Sequence, residues 1–212
     1  MIVPVAPRGR PESKIIYVRP ANVCYSGRMI IGVDEVGRGS WAGPLCVAAV
    51  AWPDDAPIKG LADSKVLTAE QRTVMAAHVR RYAAGIGIGW VSSAVIDKIG
   101  LTAALQQAGR AAVLQVGQIA PVIMDGNFKA LGDMPAEYII KADGKIPAVM
   151  AASIIAKVAR DAYMRAHDAQ FTGYKFATNV GYGTKAHQKA IAELGPCDLH
   201  RLSWAPLKIY AA

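Results

Sequence analysis

Cysteine is scarce in this chain: Cys24, Cys46 and Cys197 are the three in 212 residues. An odd number with no CxxC pair offers no disulfide framework. A reducing, intracellular setting is the simpler home for such a chain. Histidine is little commoner, at four. His187 and His200 lack ligand-type spacing, and His78 falls on an apolar helical face, as a packed residue does. The opening residues, MIVPVAPRGRPESK, hold Pro, Arg and Glu and no continuous apolar segment, so they do not read as a secretory signal. The longest apolar run, residues 45–52, is strand-sized and far too short for a bilayer. Internal repeats and low-complexity tracts are missing. The expectation is a cytoplasmic protein with no membrane span.

Acidic residues are the minority sign. Lys and Arg number 24 against 16 Asp and Glu, a net charge of +8. That surplus favours an anionic partner, nucleic acid first and an acidic membrane surface second. Apolar residues are 53% and charged residues 19%, a globular composition long enough for one α/β domain.

Residues 1–28 are rich in Pro and Arg without a clear period, and read as a loosely ordered extension to a domain over 29–212. From Met29 the pattern sharpens. Met29-Ile30-Ile31-Gly32-Val33 is a buried-strand run that ends at Asp34. Residues 41–52 follow a Gly-rich turn and predict a hairpin with it. Thr68 and Gln71 have the capping-box spacing, and Val74, Met75, His78 and Tyr82 mark the face of the helix they start. Residues 85–91 alternate with period two, as a strand does. Leu101, Ala104, Leu105, Ala108 and Ala112 mark a second helix. Residues 121–124 and 137–141 are short strands, each followed closely by an Asp. Ala151, Ile154, Ile155, Val158 and Ala162 define a third helix with Pro147 near its first turn, and one more helix is expected at about 185–194. The order β-β-α-β-α-β-β-α-α predicts a mixed sheet of five strands flanked by helices, with a helical C-terminal segment. Strand order is not legible in this pattern.

Asp34, Asp125 and Asp143 stand just after apolar strands, and Glu35 adjoins the first. In α/β sheets, sites form where strand ends meet. Carboxylates brought together there repel one another, and a divalent cation removes that cost. Mg²⁺ or Mn²⁺ suits all-oxygen ligands, and no His/Cys cluster competes. Paired cations held in this way are a device for phosphodiester hydrolysis. A plainer reading stands beside this one. An Asp after a strand is commonly a turn former or N-cap, and Asp125-Gly126-Asn127 and Asp143-Gly144 both have that form.

Asp34-Glu35-Val36-Gly37-Arg38-Gly39 followed by Ala42-Gly43-Pro44 resembles the signature of ribonuclease HII. Further segments agree in order. They are Asp63-Ser64-Lys65, Met124-Asp125-Gly126-Asn127, the run from Ala151 to Asp161, Asn179-Val180-Gly181-Tyr182-Gly183-Thr184 and His200-Arg201-Leu202-Ser203-Trp204. The resemblance spans about 29–207. It implies an RNase H-like fold, with Asp34, Glu35, Asp125 and Asp143 as the metal-binding and catalytic carboxylates. Asp34 would lie between two Mg²⁺ or Mn²⁺ ions, Asp143 would complete one site, and Glu35 with Asp125 the other. The implied activity is endonucleolytic cleavage 5′ of a ribonucleotide, in RNA–DNA hybrids or at single ribonucleotides in duplex DNA. The products carry a 3′-hydroxyl and a 5′-phosphate, as ribonucleotide excision repair requires. Gly37-Arg38-Gly39 would read the 2′-hydroxyl, which separates RNA from DNA. Tyr182 would pack on the deoxyribose beyond the junction. Ser64, Lys65 and Lys157 can bind phosphates, although Lys157 and Asp161 also have the spacing of an exposed i,i+4 pair worth little. The implied partners are these nucleic acids and no membrane, the protein acting as a monomer.

Two departures from the family pattern stand near the site. Ser40-Trp41 occupies positions where Pro and a smaller apolar residue are expected, which places an indole at the rim. Ala142 stands where Gly usually precedes the fourth carboxylate; this is tolerable unless φ there is positive. The related ribonuclease HIII carries Gly-Thr-Gly in place of Gly37-Arg38-Gly39 and a far larger N-terminal domain, so HII is the better match. A non-catalytic nucleic-acid-binding module on the same fold is the alternative from another class; it would not need four carboxylates.

Overall fold

The computed structural model describes residues 28–58, 61, 64, 67–127 and 129–210. The N-terminal extension, apart from Arg28, lies outside the described residues, as do Asp63, Lys65 and Cys24.

Two apolar runs form the heart of the sheet. β1 (Met29–Val36) and β2 (Leu45–Pro53) pair antiparallel as the predicted hairpin, with Val36 opposite Cys46 and Met29 opposite Pro53. β3 (Gly85–Val91) adds antiparallel to β2. β4 (Val122–Asp125) and β5 (Glu137–Ile139) add parallel on the other side, giving the order β3-β2-β1-β4-β5. Every residue of β2 is buried, as expected of a strand covered on both faces. Its side chains alternate accordingly. Val47 and Ala49 join Val33, Leu105, Ala108 and Met124 on one face. Cys46, Ala48 and Val50 join Val79, Ile154 and Ile155 on the other.

Helices supply those two covers. α3 (Leu101–Gln115) lies on the first face. The alternating glycines of β3 explain how closely it lies. A Cβ at Gly85, Gly87 or Gly89 would fall on the carbonyl oxygens of Val116, Ala112 or Ala108. The period of two therefore marks a backbone-to-backbone seat as well as a strand. α4 (Pro147–His167) covers the second face, with Pro147 in its first turn as predicted. α1 (Ala69–Tyr82) packs beside it and begins in the expected capping box between Thr68 and Gln71. Its buried face differs from the expected one. Ala76 and Val79 point inward, Met75, His78 and Tyr82 are half-buried, and Val74 is 65% exposed. Small Ala76 lets α1 approach the sheet, so the true stripe is displaced from the bulkier residues.

Two short helices escaped the periodicity. α2 (Ser93–Ile99) is capped by Ser92 and stopped at Gly100, and α5 (Phe176–Asn179) is one turn. Neither is long enough to show a helical repeat. α6 (Lys185–Leu194) falls where the sequence placed it, capped by Thr184. Together with a closing 3₁₀ segment, Ala205–Tyr210, it forms a satellite core of Phe176, Ile191 and Leu207 against Ala42 and Met164. That satellite holds the C-terminal third against the loop between β1 and β2.

Candidate active site

β1 and β4 run parallel and adjacent, with Val33 in register with Met124. Their next residues are Asp34 and Asp125, so the sheet itself sets two carboxylates side by side at its C-terminal edge. Asp34, Glu35 and Asp125 line one open cleft of about 350 Å³, together with Gly37, Arg38, Gly39, Ser64, Ser153, Lys157 and Tyr182. A second hollow of about 370 Å³ lies by Asp97 and Cys197. The Asp97 carboxylate there is already taken by Leu202 N, Ser203 N and the Ser203 hydroxyl, so the first cleft is where the free chemistry lies.

Burial dominates the electrostatics of that cleft. Asp34 is 8% exposed, and its pKa is pushed up to about 8 by desolvation first and the neighbouring Glu35 second. Hydrogen bonds from Ser153 and from the Glu35 backbone N–H, the latter 2.8 Å from Oδ1, pull the other way. Glu35 is also raised by burial, against the lowering effect of Arg38, whose Nη1 is 3.7 Å away. Asp125 adds a raising effect to both.

Asp143 stands one step aside. It sits in a 3₁₀ turn, Ala142–Gly144, that follows β5, and is 4% exposed. The turn is tied to the cleft because Ala142 N donates to Asp125 Oδ1 at 2.7 Å. Asp143 itself is not among the cleft-lining residues. Among the described residues no three His, Cys, Asp or Glu side chains stand close enough to hold one ion. In chemistry the donors still fit a hard divalent cation: all are carboxylate oxygens, and burial beside Glu35 disfavours an ionised Asp34 unless a cation offsets its charge. The substitution of Ala142 for Gly is benign, because the positive φ belongs to the preceding Lys141, at 59°.

The family model for ribonuclease HII matches residues 31–207. This chain belongs to the ribonuclease HII family. Its relatives include ribonuclease HII of Listeria monocytogenes serotype 4a, 41% identical over 187 residues, covering 85% of this chain and 69% of that one. Ribonuclease HII of Streptomyces avermitilis is 44% identical over 183 residues, covering 85% and 78%. Among solved structures, ribonuclease HII from Archaeoglobus fulgidus in complex with PCNA aligns at TM-score 0.71 and 25% identity, covering 83% of this chain and 95% of that one. Bst-RNase HIII in complex with Mn²⁺ aligns at TM-score 0.66 and 22% identity, covering 86% and 68%, a likeness of fold.

As a ribonuclease HII family member the chain is a metal-dependent ribonuclease H, a hydrolase of phosphodiester bonds in RNA-containing nucleic acid. It is thus an enzyme and not a bare binding module. Among the described residues no helix is long and apolar enough to cross a membrane.

Sequence reasoning passed over three side chains that hold this ribonuclease site together. Ser153, on α4, bonds Asp34 and stands 2.8 Å from the Ser64 hydroxyl. A buried serine amid alanines and isoleucines was the available signal. Arg160 and Arg201 are each 0% exposed. Arg160 donates to Pro44 O, Val180 O, Ala42 O and the Ser40 hydroxyl. Arg201 donates to Gly43 O and Arg38 O. Arginine is read as surface by default, which hid both. The Lys157–Asp161 pair corrects the expectation of an exposed one: its 2.9 Å contact is largely buried, with Lys157 23% and Asp161 6% exposed. Trp41 packs its ring over Gly183 and against the satellite core, and is not among the residues that line the cleft.

Proposed function

We propose that this ribonuclease cuts on the 5′ side of a ribonucleotide, in RNA–DNA hybrids and at single ribonucleotides embedded in duplex DNA, leaving a 3′-hydroxyl and a 5′-phosphate. The observation that carries the reading is the sharing of one cleft by Asp34, Glu35 and Asp125 with Gly37-Arg38-Gly39 and Tyr182. Acidic groups suited to hydrolysis and a backbone loop suited to a sugar thus face the same space.

Asp34, Glu35, Asp125 and Asp143 are the proposed holders of two Mg²⁺ or Mn²⁺ ions, with Asp34 between them. Bound there, the ions supply an ionised water as nucleophile and stabilise the departing 3′-oxygen. The residues do the rest. Gly37 has φ +86°, and a Cβ there would run into the Arg160 guanidinium, so glycine is needed for the loop to lie flat on its support. Arg201 holds the carbonyl of Arg38 from beneath at 3.1 Å. The loop is thereby supported from below, and its glycines let the backbone approach a 2′-hydroxyl closely. Arg38, 54% exposed, reaches toward a phosphate. Tyr182 lies with Arg160 and Lys157 cations 5.5 and 5.8 Å from its ring centre. Its ring stacks on the deoxyribose that follows the ribonucleotide, where a 2′-hydroxyl would crowd it. Ser64 and Lys65 are proposed phosphate contacts, and the protein acts as a monomer in the cytoplasm.

A DNA duplex carrying one ribonucleotide tests the reading. With Mg²⁺ or Mn²⁺, a single nick 5′ of the ribonucleotide is expected, abolished by chelator and by Asp125→Asn. A duplex left intact in both metals would overturn it.

A further inference from the structure

His187 and His200 form a buried pair that the chemistry above does not use. They are 0% and 3% exposed, and their Nε2 atoms lie 3.1 Å apart. His187 Nδ1 is 2.9 Å from the Tyr182 carbonyl oxygen. A carbonyl only accepts, so this Nδ1 carries the proton, and a neutral His187 presents a lone pair at Nε2. At the other end, His200 Nδ1 lies 2.8 Å from the Cys197 backbone N–H and 3.2 Å from the Cys197 carbonyl oxygen, which already accepts from His200 N. A proton on Nδ1 would face the nearer N–H, so Nδ1 accepts. That nitrogen is a lone pair, so His200 carries its proton at Nε2. The two assignments, made independently, give one N–H facing one lone pair between the rings. The result is a one-way chain: Cys197 N–H to His200, His200 to His187, His187 to the Tyr182 carbonyl.

Each end of the chain is fastened to one wall of the cleft. The His200 segment is bridged to Ala42, with Arg201 N donating to Trp41 O and Gly43 N to Leu199 O. These are the residues that continue directly from Gly37-Arg38-Gly39. His187 projects from α6 onto the loop that bears Tyr182. The aromatic rings of Phe176 and Tyr174 pack at 5.4 and 5.0 Å from His187 and His200.

We propose that the His187–His200 pair is a positioning device that sets Tyr182 against the Gly37-Arg38-Gly39 loop, and so tunes selection of a ribonucleotide followed by DNA. The inference rests on the reading of Tyr182 given above. Burial keeps both rings neutral, His200 with its pKa lowered to about 4, in agreement with the single-proton contact between them.

Two measurements test it. The ¹⁵N histidine spectrum of the full chain at neutral pH is expected to show His187 protonated at Nδ1 and His200 at Nε2. An imidazolium or the opposite tautomer at either ring would overturn the chain, and no variant has to fold for that result.

The second compares kcat/KM on a single-ribonucleotide duplex with that on a continuous RNA–DNA hybrid. In His187→Asn the amide overlays Nδ1 and keeps the donor to Tyr182, whereas in His187→Gln it overlays Nε2 and loses it. His187→Gln is expected to lower the ratio about tenfold, through KM, as the loss of one buried hydrogen bond allows, and His187→Asn to restore most of it. Tyr182→Ala is run in parallel. A ratio unchanged in Tyr182→Ala overturns the reading of that tyrosine and the inference with it. A ratio that falls in Tyr182→Ala but holds in His187→Gln overturns the inference alone.

Discussion

Arg160 donates from Nη2 to the Ser40 hydroxyl at 2.7 Å, and that hydroxyl in turn donates to the Gly37 carbonyl at 2.9 Å. A cation buried on α4 thus reaches the first residue of the Gly37-Arg38-Gly39 loop through one side chain. Ser40 stands where the family pattern has proline, which lacks the hydroxyl needed for this link.

The two members of that link should differ in cost. Ser40→Ala removes two buried hydrogen bonds but leaves Arg160 its bonds to carbonyls, and should lower unfolding free energy by about 1–2 kcal/mol. Arg160→Met strands the carbonyls of Pro44, Ala42 and Val180 and should cost roughly 3 kcal/mol or more. Urea denaturation of the metal-free protein measures both. Equal midpoints for the two variants would mean that Arg160 carries little of the loop.

Asp34 makes the metal-free protein sensitive to alkali. Its folded pKa, about 8, lies above the ordinary 3.8, so the folded state binds more protons between those values. The stability it contributes is complete below about pH 4 and is lost as pH rises through 8. Melting temperature without metal should fall by a few degrees relative to Asp34→Asn between pH 5 and pH 8.5. Mg²⁺ or Mn²⁺ should flatten the difference, since binding the ion expels the same proton. Parallel melting curves for the two proteins across that range would refute the assignment.

Ser153 acts on the acidic cluster from behind. Its bond to Asp34 favours the ionised carboxylate. Ser153→Ala should weaken Mn²⁺ binding by roughly 10-fold, the range for a lost supporting partner. Titration calorimetry at pH 7 reads this directly, and the deficit should shrink at pH 9, where Asp34 is ionised in either protein.

The seat of α3 on β3 is a test of the fold alone. Gly87→Val would drive a side chain into the Ala112 carbonyl. The helix must lift, at a cost of roughly 3 kcal/mol in unfolding free energy. Gly126, with nothing within 4 Å of an added Cβ, is a poor control because its φ is +123°; Gly144, equally open and without positive φ, is the better one.

Much of this was legible beforehand, for reasons that differ by residue. The strands were visible because β2 is buried on both faces and β3 alternates glycine with larger residues. The long helix α4 was visible through its period and Pro147. Order within the sheet was not, since nothing local states that β4 pairs with β1. The acidic residues announced themselves by following apolar runs, although Asp34, Glu35 and Asp125 lie within the last residues of β1 and β4, and nothing in those runs revealed that Asp143 would sit in its own turn beside the cleft. Arg160 and Arg201 escaped because their importance lies in long-range partners: Arg201 and Gly43 are separated by 158 positions.

The ladder joining β1 to β4 has a bearing on how this molecule tolerates change. Asp34 and Asp125 are spaced by the pitch of neighbouring strands, about 4.8 Å, and by no intervening loop. Everything between them, a long excursion through two further strands and three helices, returns to the same rung. Lengthening or trimming the surface turns of that excursion therefore leaves the carboxylate spacing untouched. A single-residue slip of β4 against β1 would shift Asp125 along the sheet and turn it to the opposite face.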